Sequence, residues 1–355
     1  MKISYLVLAV LFLALVSACE KVNPDENEDT GFTHGVFITN EGGFGNSNGS
    51  VSYFDQDSLI MHNNLFNRVN NRPLGDVVQS LAIHEGRAYI VVNNSQKVEV
   101  VDLEDFTSVG LIQGLSYPRY FVGIDKDKAY VSNGSKEGHV YVVDLNSLAI
   151  VDSIQVGSGP EQMLKKDDRV YVANSGGWGH DSTLTVIDSE QDIVLETIQV
   201  GHMPVALTLD NNDDLWILCK GKVVYGADWS VVEETESELI KVNTGVNQII
   251  TRIEIGSTGD FFWPARMATD VAKTNILFTE AAGLYEIDIH AASQPSEPLI
   301  PVDFYGFGVD PESGIIFGLS APGFAEAGYL SRYSSDGIKL DSISTGIAPN
   351  SAVFN

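Results

Sequence analysis

The sequence is poor in cysteine and in basic residues, and both shortages exclude classes of protein. Only Cys19 and Cys219 occur in 355 residues, so a framework of disulfides cannot hold the fold together. Lysine and arginine number 21 against 48 aspartate and glutamate residues, which gives a formal net charge of −27. A chain this acidic repels the phosphates of nucleic acids and of anionic membrane surfaces. We therefore expect no nucleic acid partner.

Long apolar runs are also lacking, with one exception near the N-terminus. Residues 3–16 are apolar and follow the single positive charge of Lys2, but the run is too short to span a bilayer. The sequence Val-Ser-Ala-Cys follows at positions 16–19 and matches the pattern read by bacterial lipoprotein signal peptidase. These features predict a signal peptide over residues 1–18 and stable anchoring through acyl chains on Cys19. A signal peptide with a fortuitous cysteine is the alternative.

Residues 19–33 have an acidic composition and no periodic apolar pattern. Such a segment cannot bury enough apolar surface to fold, so we expect a lipidated, flexible acidic tether. An acidic stretch directly after the lipidated cysteine favours export to the cell surface over a plain solvated linker. The expected location is the outer membrane, with the protein lipid-anchored and facing the cell exterior, and with no membrane contact besides the anchor.

The rest of the chain is an internal repeat. An apolar strand that ends in small or polar residues recurs seven times. The copies are residues 36–40, 88–93, 129–133, 170–174, 215–218, 276–279 and 315–318. A second strand follows each copy, and these second strands end at Asp55, Asp102, Asp144, Asp188, Asn243, Asp288 and Ser334. Units of about 40 residues with four short strands and no helical period are typical of β-propeller blades.

The two ends of the repeat predict how the ring closes. The first copy, residues 36–40, has no inner strand before it, and the C-terminal segment 349–354 matches the inner strands that begin at other prolines. A C-terminal strand that completes the first blade would remove two open sheet edges. The predicted fold is all-β, a single seven-bladed β-propeller over residues 34–355. A parallel solenoid is the competing repeat fold, but it uses shorter units and needs no closure.

Aromatic residues are concentrated in loops that share one face of such a ring. Glycine-rich turns normally carry small polar residues, so this concentration predicts a binding surface for a large, partly flat ligand. The predicted ligand-binding residues are Phe44, Asn94, Tyr117, Arg119, Gln162, Trp178, His180, His202, Trp229, Trp263, Tyr305 and Phe324. The alternative is that the loop aromatics pack as lids on the blade cores. For Tyr120, Phe262 and Phe307, which enter inner strands, we expect packing.

Support for catalysis is weak. The chain has no Gly-x-Ser-x-Gly nucleophile motif and no zinc-ligand spacing. Side chains at the ends of the recurring strands resemble an axial metal set, and these are Glu41, Asn93, Asn133, Asn174 and Glu280. An asparagine at a strand end, however, more often closes a turn with its own side chain. We therefore expect a protein without catalytic residues, without a metal and without a cofactor.

A turn of the form Gly-x-x-Pro recurs at residues 157–160, 201–204 and 346–349, and it resembles the YncE-like, surface-layer-type propellers. With the lipoprotein signal and acidic tether, the chain is similar to a group of Bacteroidetes surface lipoproteins. That group includes propellers that capture corrinoids and partner the TonB-dependent cobalamin transporter. The resemblance implies that one propeller face binds a corrinoid (a vitamin B12-type ligand) and delivers it to an outer-membrane transporter. The alternatives are a propeller that binds protein or glycan and, less favoured, a lyase or lactonase with an axial metal.

Overall fold

A computed structural model describes residues 31–32, 34–258 and 265–355, and its compact unit runs from Phe32 to Asn355. The predicted signal peptide, the lipidation site Cys19 and most of the predicted tether lie outside the described residues, as do Phe262 and Trp263. Within the described ranges, no helix is both long enough and apolar enough to cross a bilayer.

Strands account for almost all of the regular structure. The chain begins with β1 (Gly35–Asn40), β2 (Ser50–Asp55), β3 (Ile60–His62) and the helix α1 (Leu65–Asn70). It continues with β4 (Val78–His84), β5 (Arg87–Val92), β6 (Lys97–Asp102), β7 (Ser108–Ile112), β8 (Pro118–Gly123), β9 (Lys128–Asn133), β10 (His139–Asp144) and β11 (Ala149–Gln155). Next come β12 (Pro160–Lys166), β13 (Arg169–Asn174), β14 (Thr183–Asp188), β15 (Ile193–Gln199), β16 (Pro204–Leu209), β17 (Leu215–Cys219), β18 (Lys222–Tyr225), β19 (Val231–Asn243) and β20 (Gln248–Thr258). The last are β21 (Met267–Thr269), β22 (Asn275–Glu280), β23 (Gly283–Asp288), β24 (Gly306–Val309), β25 (Ile316–Ser320), β26 (Ala327–Tyr333), β27 (Lys339–Ile347) and β28 (Pro349–Phe354).

In the described part of the chain these strands form seven antiparallel sheets, so the predicted seven-bladed propeller is confirmed. Blade 1 has the strand order β28-β1-β2-β3, and blades 2, 3 and 4 are β4–β7, β8–β11 and β12–β15. Blade 5 contains β16–β20, blade 6 contains β21–β23, and blade 7 contains β24–β27. The recurring apolar strand of the sequence is the second strand of every blade.

The C-terminal strand closes the ring as the repeat predicts. Strand β28 pairs antiparallel with β1, with Phe37 opposite Val353 and Val36 opposite Phe354. A further backbone hydrogen bond runs from the N–H of Asn355 to the carbonyl of Gly35 at 3.1 Å. Blade 1 is therefore built from both ends of the compact unit, and β1 has no unpaired inner edge.

Among the residues that the structure describes, the apolar core consists of seven clusters, each between two consecutive blades. Successive side chains of a strand point to opposite faces of its sheet. Phe37 of β1 accordingly packs with blade 2, whereas its neighbours Val36 and Ile38 pack with Phe317 and Leu319 of blade 7. The recurring strand is therefore buried on both faces, which explains why it reads as a continuous apolar run.

Blade 6 differs from the predicted four strands, because three strands pair in its described residues and a single bridge, between Leu284 and Ile300, follows. Its outer segment contains Pro295, Pro298 and Pro301. Proline has no N–H to donate to a ladder, so these residues explain why no continuous fourth strand forms there.

Two further features were not predicted from the sequence. In blade 5, β18 pairs with the first half of the 13-residue strand β19, and the two form a hairpin after the second strand of the blade. Helix α1, in a chain predicted to have no helical period, follows β3. It buries Leu65 and Phe66 in the cluster between blades 1 and 2. That contact with the core, rather than any periodic sequence pattern, explains a six-residue helix.

Candidate functional site

An open cavity of about 520 Å³ lies on the face that carries the predicted binding loops. Every blade contributes to its lining. From blade 1 to blade 7, lining residues include Glu41, Gln79, Arg119, Glu161, Val205, Arg266 and Tyr305. Because side chains from all seven blades meet there, the cavity lies on the axis of the ring, and we call it the axial cavity. Its size falls within the range of small-molecule sites.

Most of the residues predicted from loop position meet at this cavity. The predicted residues that line it are Phe44, Asn94, Tyr117, Arg119, Trp178, Tyr305 and Phe324. Four others do not line it, and these are Gln162, His180, His202 and Trp229. Trp263 is outside the described residues. The role of the lining residues in ligand binding stays a prediction.

Three aromatic side chains, which we call the rim aromatics, stand at the mouth of the axial cavity. Phe44 is 79% exposed, Trp178 is 76% exposed and Phe324 is 55% exposed, so none of them is a lid packed on a blade core. The Trp178 ring lies 6.4 Å from the ring of Tyr117, and the Phe324 ring lies 5.8 Å from that of Tyr305 in an edge-on arrangement. The rim thus offers apolar faces to a ligand.

The backbone around the rim aromatics is shaped by specific local contacts. Before Trp178, Gly176 and Gly177 have φ angles of 98° and 63°, a left-handed conformation that glycine adopts without a steric penalty. The loop of Phe44 is held from blade 2, because Asp76 Oδ2 accepts a hydrogen bond from the N–H of Gly45 at 2.9 Å. These contacts position two of the exposed rings on loops attached to a rigid scaffold.

Deeper in the cavity, an arginine that contacts a glutamate and a glutamine joins three inner strands. Arg119 Nε on β8 donates to both carboxylate oxygens of Glu161 on β12, at 3.0 and 2.9 Å. One terminal nitrogen of Arg119 also donates to the side-chain carbonyl of Gln79 on β4. Burial disfavours the charged form of Arg119 and so lowers its pKa, but the Glu161 carboxylate favours the charged form more strongly. The net effect is a raised pKa of Arg119. A Cβ atom at Gly134 would lie 2.7 Å from Arg119 Cγ, so this glycine makes room for the guanidinium stem.

A second polar group links blades 1 and 7. Glu41 accepts a hydrogen bond from the Tyr305 hydroxyl at 2.9 Å through Oε2, and one from the Asn350 amide at 2.9 Å through Oε1. Burial, together with the Glu41 charge, raises the pKa of Tyr305, so this hydroxyl stays protonated and donates. The Asn350 amide also lies 3.2 Å from the carbonyl of Val78 and 3.1 Å from that of Gln79. The floor of the cavity is therefore held by contacts between blades.

Several lining residues were not predicted as ligand-binding residues. Glu161 and Val205 are the residues directly after the prolines that open β12 and β16, as Arg119 is after the proline that opens β8. The position after that proline is thus a signal for the axis. Tyr120, for which packing was expected, instead lines the cavity, whereas Phe307 is buried in a core cluster as expected.

The predicted residues outside the cavity have other contacts. Gln162 Oε1 accepts a hydrogen bond from the N–H of Leu207 at 2.8 Å and so joins blades 4 and 5. Trp229 is 80% exposed at the tip of the β18–β19 hairpin. His180 lies near Lys222 and His202. Loss of solvent around the ring, with the positive charge of Lys222, lowers the pKa of His180.

The strand-end residues considered as an axial metal set are engaged in structural hydrogen bonds. Asn133 Oδ1 accepts from the N–H of Tyr117 at 2.7 Å, and the Asn93 amide donates to the carbonyl of Pro118 at 2.9 Å. The Asn174 amide donates to the hydroxyl of Thr185 on the adjacent strand at 2.9 Å. Over residues 31–32, 34–258 and 265–355, no three His, Cys, Asp or Glu side chains are grouped closely enough to hold a metal ion.

Comparison with known proteins gives a family and a fold. The profile of the family described as "Domain of unknown function (DUF5074)" matches residues 34–316. No curated protein matches the chain in sequence. A quinonprotein alcohol dehydrogenase-like protein of Bacteroides thetaiotaomicron is similar in structure, with a TM-score of 0.67 and 12% identity over 91% of this chain and 79% of that chain.

Two further solved structures are similar. A functionally unknown protein from Desulfotomaculum acetoxidans has a TM-score of 0.65 and 9% identity, over 91% of this chain and 99% of that one. Hydrazine synthase of Kuenenia stuttgartiensis has a TM-score of 0.56 and 14% identity, over 75% of this chain and 85% of that one. At such low identities the similarity shows a shared propeller fold and nothing about ligands.

Proposed function

The chain belongs to the family described as "Domain of unknown function (DUF5074)", and we propose on structural grounds that it is a binding protein that captures a corrinoid in the axial cavity. The observation that carries the proposal is the cavity itself, in which exposed aromatic rings surround a mouth and all seven blades contribute to the lining. A propeller fold is consistent with a binding protein.

The chemistry of the cavity supports a large, flat ligand of mixed polarity. A corrin ring has a broad apolar rim, which suits the faces of the three rim aromatics. Its amide side chains need hydrogen-bond partners, and the lining contains the side-chain amides of Gln79 and Asn94. A rigid ligand also loses little conformational entropy on binding, which favours tight capture by a preformed site.

We also propose that the protein is anchored to the outer membrane through lipid on Cys19, faces the cell exterior and passes its ligand to a TonB-dependent transporter. Support comes from the apolar segment 3–16, the Val-Ser-Ala-Cys sequence at 16–19 and the acidic residues that follow. Cys19→Ala should move the protein from the membrane fraction to the soluble fraction, while protease added to intact cells should digest the wild type. A lipidated protein that resists external protease would contradict the surface location.

The binding proposal is tested by calorimetry of the full-length chain in detergent with cyanocobalamin. We expect saturable heat with one ligand per chain at micromolar or lower concentrations. Phe44→Ala should weaken this binding, whereas Tyr329→Ala should not, because Tyr329 is 49% exposed on β26 and does not line the cavity. Absence of heat with cyanocobalamin, combined with binding to surface glycans, would overturn the corrinoid proposal in favour of a glycan-binding propeller.

A further inference from the structure

The charged residues of the axial cavity have a balance opposite to that of the whole protein. The chain carries a formal net charge of −27. Among the lining residues that the structure describes, the charged side chains are Glu41, Glu161, Arg119, Lys220 and Arg266. Basic groups therefore outnumber acidic groups in the described part of the lining. In a protein with few basic residues, such a local excess is a feature that a ligand can recognise.

Both acidic groups of the lining are already engaged by the protein. Glu161 is held by Arg119 through two hydrogen bonds to its carboxylate. Each carboxylate oxygen of Glu41 accepts a hydrogen bond, one from the Tyr305 hydroxyl and one from the Asn350 amide. A cationic ligand group would have to displace these contacts, so the cavity is not arranged to receive a cation.

Arg266, unlike these two glutamates, is not paired with an opposite charge or fully hydrogen-bonded within the described residues. Its Nε donates to the carbonyl of Asn350 at 3.3 Å, and one terminal nitrogen donates to the carbonyl of Ala265 at 3.3 Å. Among the described residues it forms no ion pair with a carboxylate, and its remaining N–H groups have no acceptor there. The two backbone carbonyls orient the guanidinium at the base of blade 6 without neutralising it. The side chain is half-buried and lines the cavity.

We propose that Arg266 is an anion-binding residue, and that the ligand of the axial cavity carries a phosphate, sulfonate or carboxylate group that pairs with it. The inference rests on the proposed function in one respect, that the axial cavity is the binding site. It adds the requirement that the ligand carry an anionic group, which a flat, apolar shape alone does not imply. Guanidinium groups present fork-like donors that match the oxygens of phosphate and carboxylate groups, with bonds stronger than those between neutral partners.

The negative net charge of the whole protein affects how an anionic ligand could be selected. A strongly negative protein repels anions at long range, and that repulsion is screened by salt beyond a Debye length of about 10 Å at moderate ionic strength. Discrimination in favour of an anion must then come from direct contact inside the cavity. Arg119 contributes less to it, because Glu161 already neutralises this guanidinium.

The test uses two matched pairs of probes with the full-length chain in detergent. Cyanocobalamin contains a phosphodiester in its nucleotide loop, whereas dicyanocobinamide is a corrinoid without that phosphate. Anilinonaphthalene sulfonate is an anionic flat dye, and phenylnaphthylamine is its uncharged analogue. The variants are Arg266→Gln and, as a control with the same change of net charge, Arg68→Gln. Arg68 is exposed in helix α1 and does not line the cavity.

We expect Arg266→Gln to weaken binding of the member of each pair that carries the phosphate or sulfonate group about tenfold, because the variant removes a charge-assisted hydrogen bond to that group. Binding of dicyanocobinamide and of phenylnaphthylamine should stay unchanged, and Arg68→Gln should alter neither pair. Arg266→Lys should restore part of the preference, since it keeps the charge but not the fork.

The possible results separate this inference from the proposed function. If neither corrinoid binds but the dye pair responds as expected, the corrinoid proposal fails and the anion site stands. If both corrinoids bind equally well and Arg266→Gln changes neither, the proposed function stands and the anion site is overturned. Equal losses for charged and uncharged probes in Arg266→Gln would also overturn it, because they indicate a structural role for the arginine.

Discussion

Blades 1 and 7 each contain a pair of phenylalanines that lie seven positions apart and in opposite environments. Phe37 in β1 and Phe317 in β25 are fully buried, whereas Phe44 is 79% exposed and Phe324 is 55% exposed. In both blades the second strand ends between the two residues, at Asn40 and Ser320. The same residue type is therefore part of the core before the end of the strand and part of the cavity rim after it.

The difference shows that position relative to the strand end, rather than hydrophobicity, separates residues that stabilise the ring from those available to a ligand. Phe317 packs in the cluster that joins blades 7 and 1, and burial of an aromatic side chain stabilises the fold by several kcal/mol. Phe324 retains most of its contact with solvent and contributes little to that stability. An exposed large aromatic beside a cavity is instead a feature of binding surfaces.

The largest expected effect comes from removing the strand that keeps Phe317 in the core. The ring of Phe354 lies 5.2 Å from that of Phe317, edge to face. Deleting residues 349–355 removes this contact together with the inner strand of blade 1, and it exposes the edge of β1. We expect the free energy of unfolding to fall by more than about 5 kcal/mol, beyond the loss from truncating a single core side chain.

Thermal denaturation followed by circular dichroism measures this loss. The control is removal of Asn355 alone, which leaves β28 in place. If the protein without residues 349–355 melts within about two degrees of the wild type, the C-terminal strand does not hold the ring together. That result would also mean that this strand is not needed to keep Phe317 in the core.

A smaller effect on the free energy of unfolding distinguishes Phe317 from Phe324 in blade 7. Phe317→Ala should lower the free energy of unfolding by about 3–5 kcal/mol, because it leaves a cavity in the core. Phe324→Ala should change it by no more than about 0.5 kcal/mol, as is usual for exposed positions. Denaturant titration of both variants provides the comparison. Equal losses of stability in the two variants would mean that the loop phenylalanine packs in solution.

The repeat made most of the fold predictable, because strands buried on both faces carry a regular and strongly apolar pattern. Closure was predictable as well, since the C-terminal segment matches the missing inner strand. The failures have local causes. Prolines interrupt the outer part of blade 6. In blade 5, β18 pairs with β19 as an additional hairpin. Helix α1 depends on the burial of Leu65 and Phe66. None of these leaves a periodic signal.

The candidate site was predictable in part, and for a geometric reason. Loop position correctly placed Phe44, Trp178 and Phe324 around the axis. It could not separate Trp178 from Trp229, because both follow the second strand of a blade in a loop that contains glycine. The contact of Arg119 with Glu161 was beyond reach, since it depends on which inner strands meet at the axis.

The most direct test of the axial cavity as the binding site compares two tryptophans of similar exposure. Trp178 lines the cavity, and Trp229 lies outside it on the β18–β19 hairpin. The dissociation constant for cyanocobalamin, measured by calorimetry, should rise about tenfold in Trp178→Ala, a loss typical of a stacked aromatic anchor. It should stay unchanged in Trp229→Ala. Tight binding that survives Trp178→Ala but is lost in Trp229→Ala would contradict the axial site and place the ligand on the hairpin.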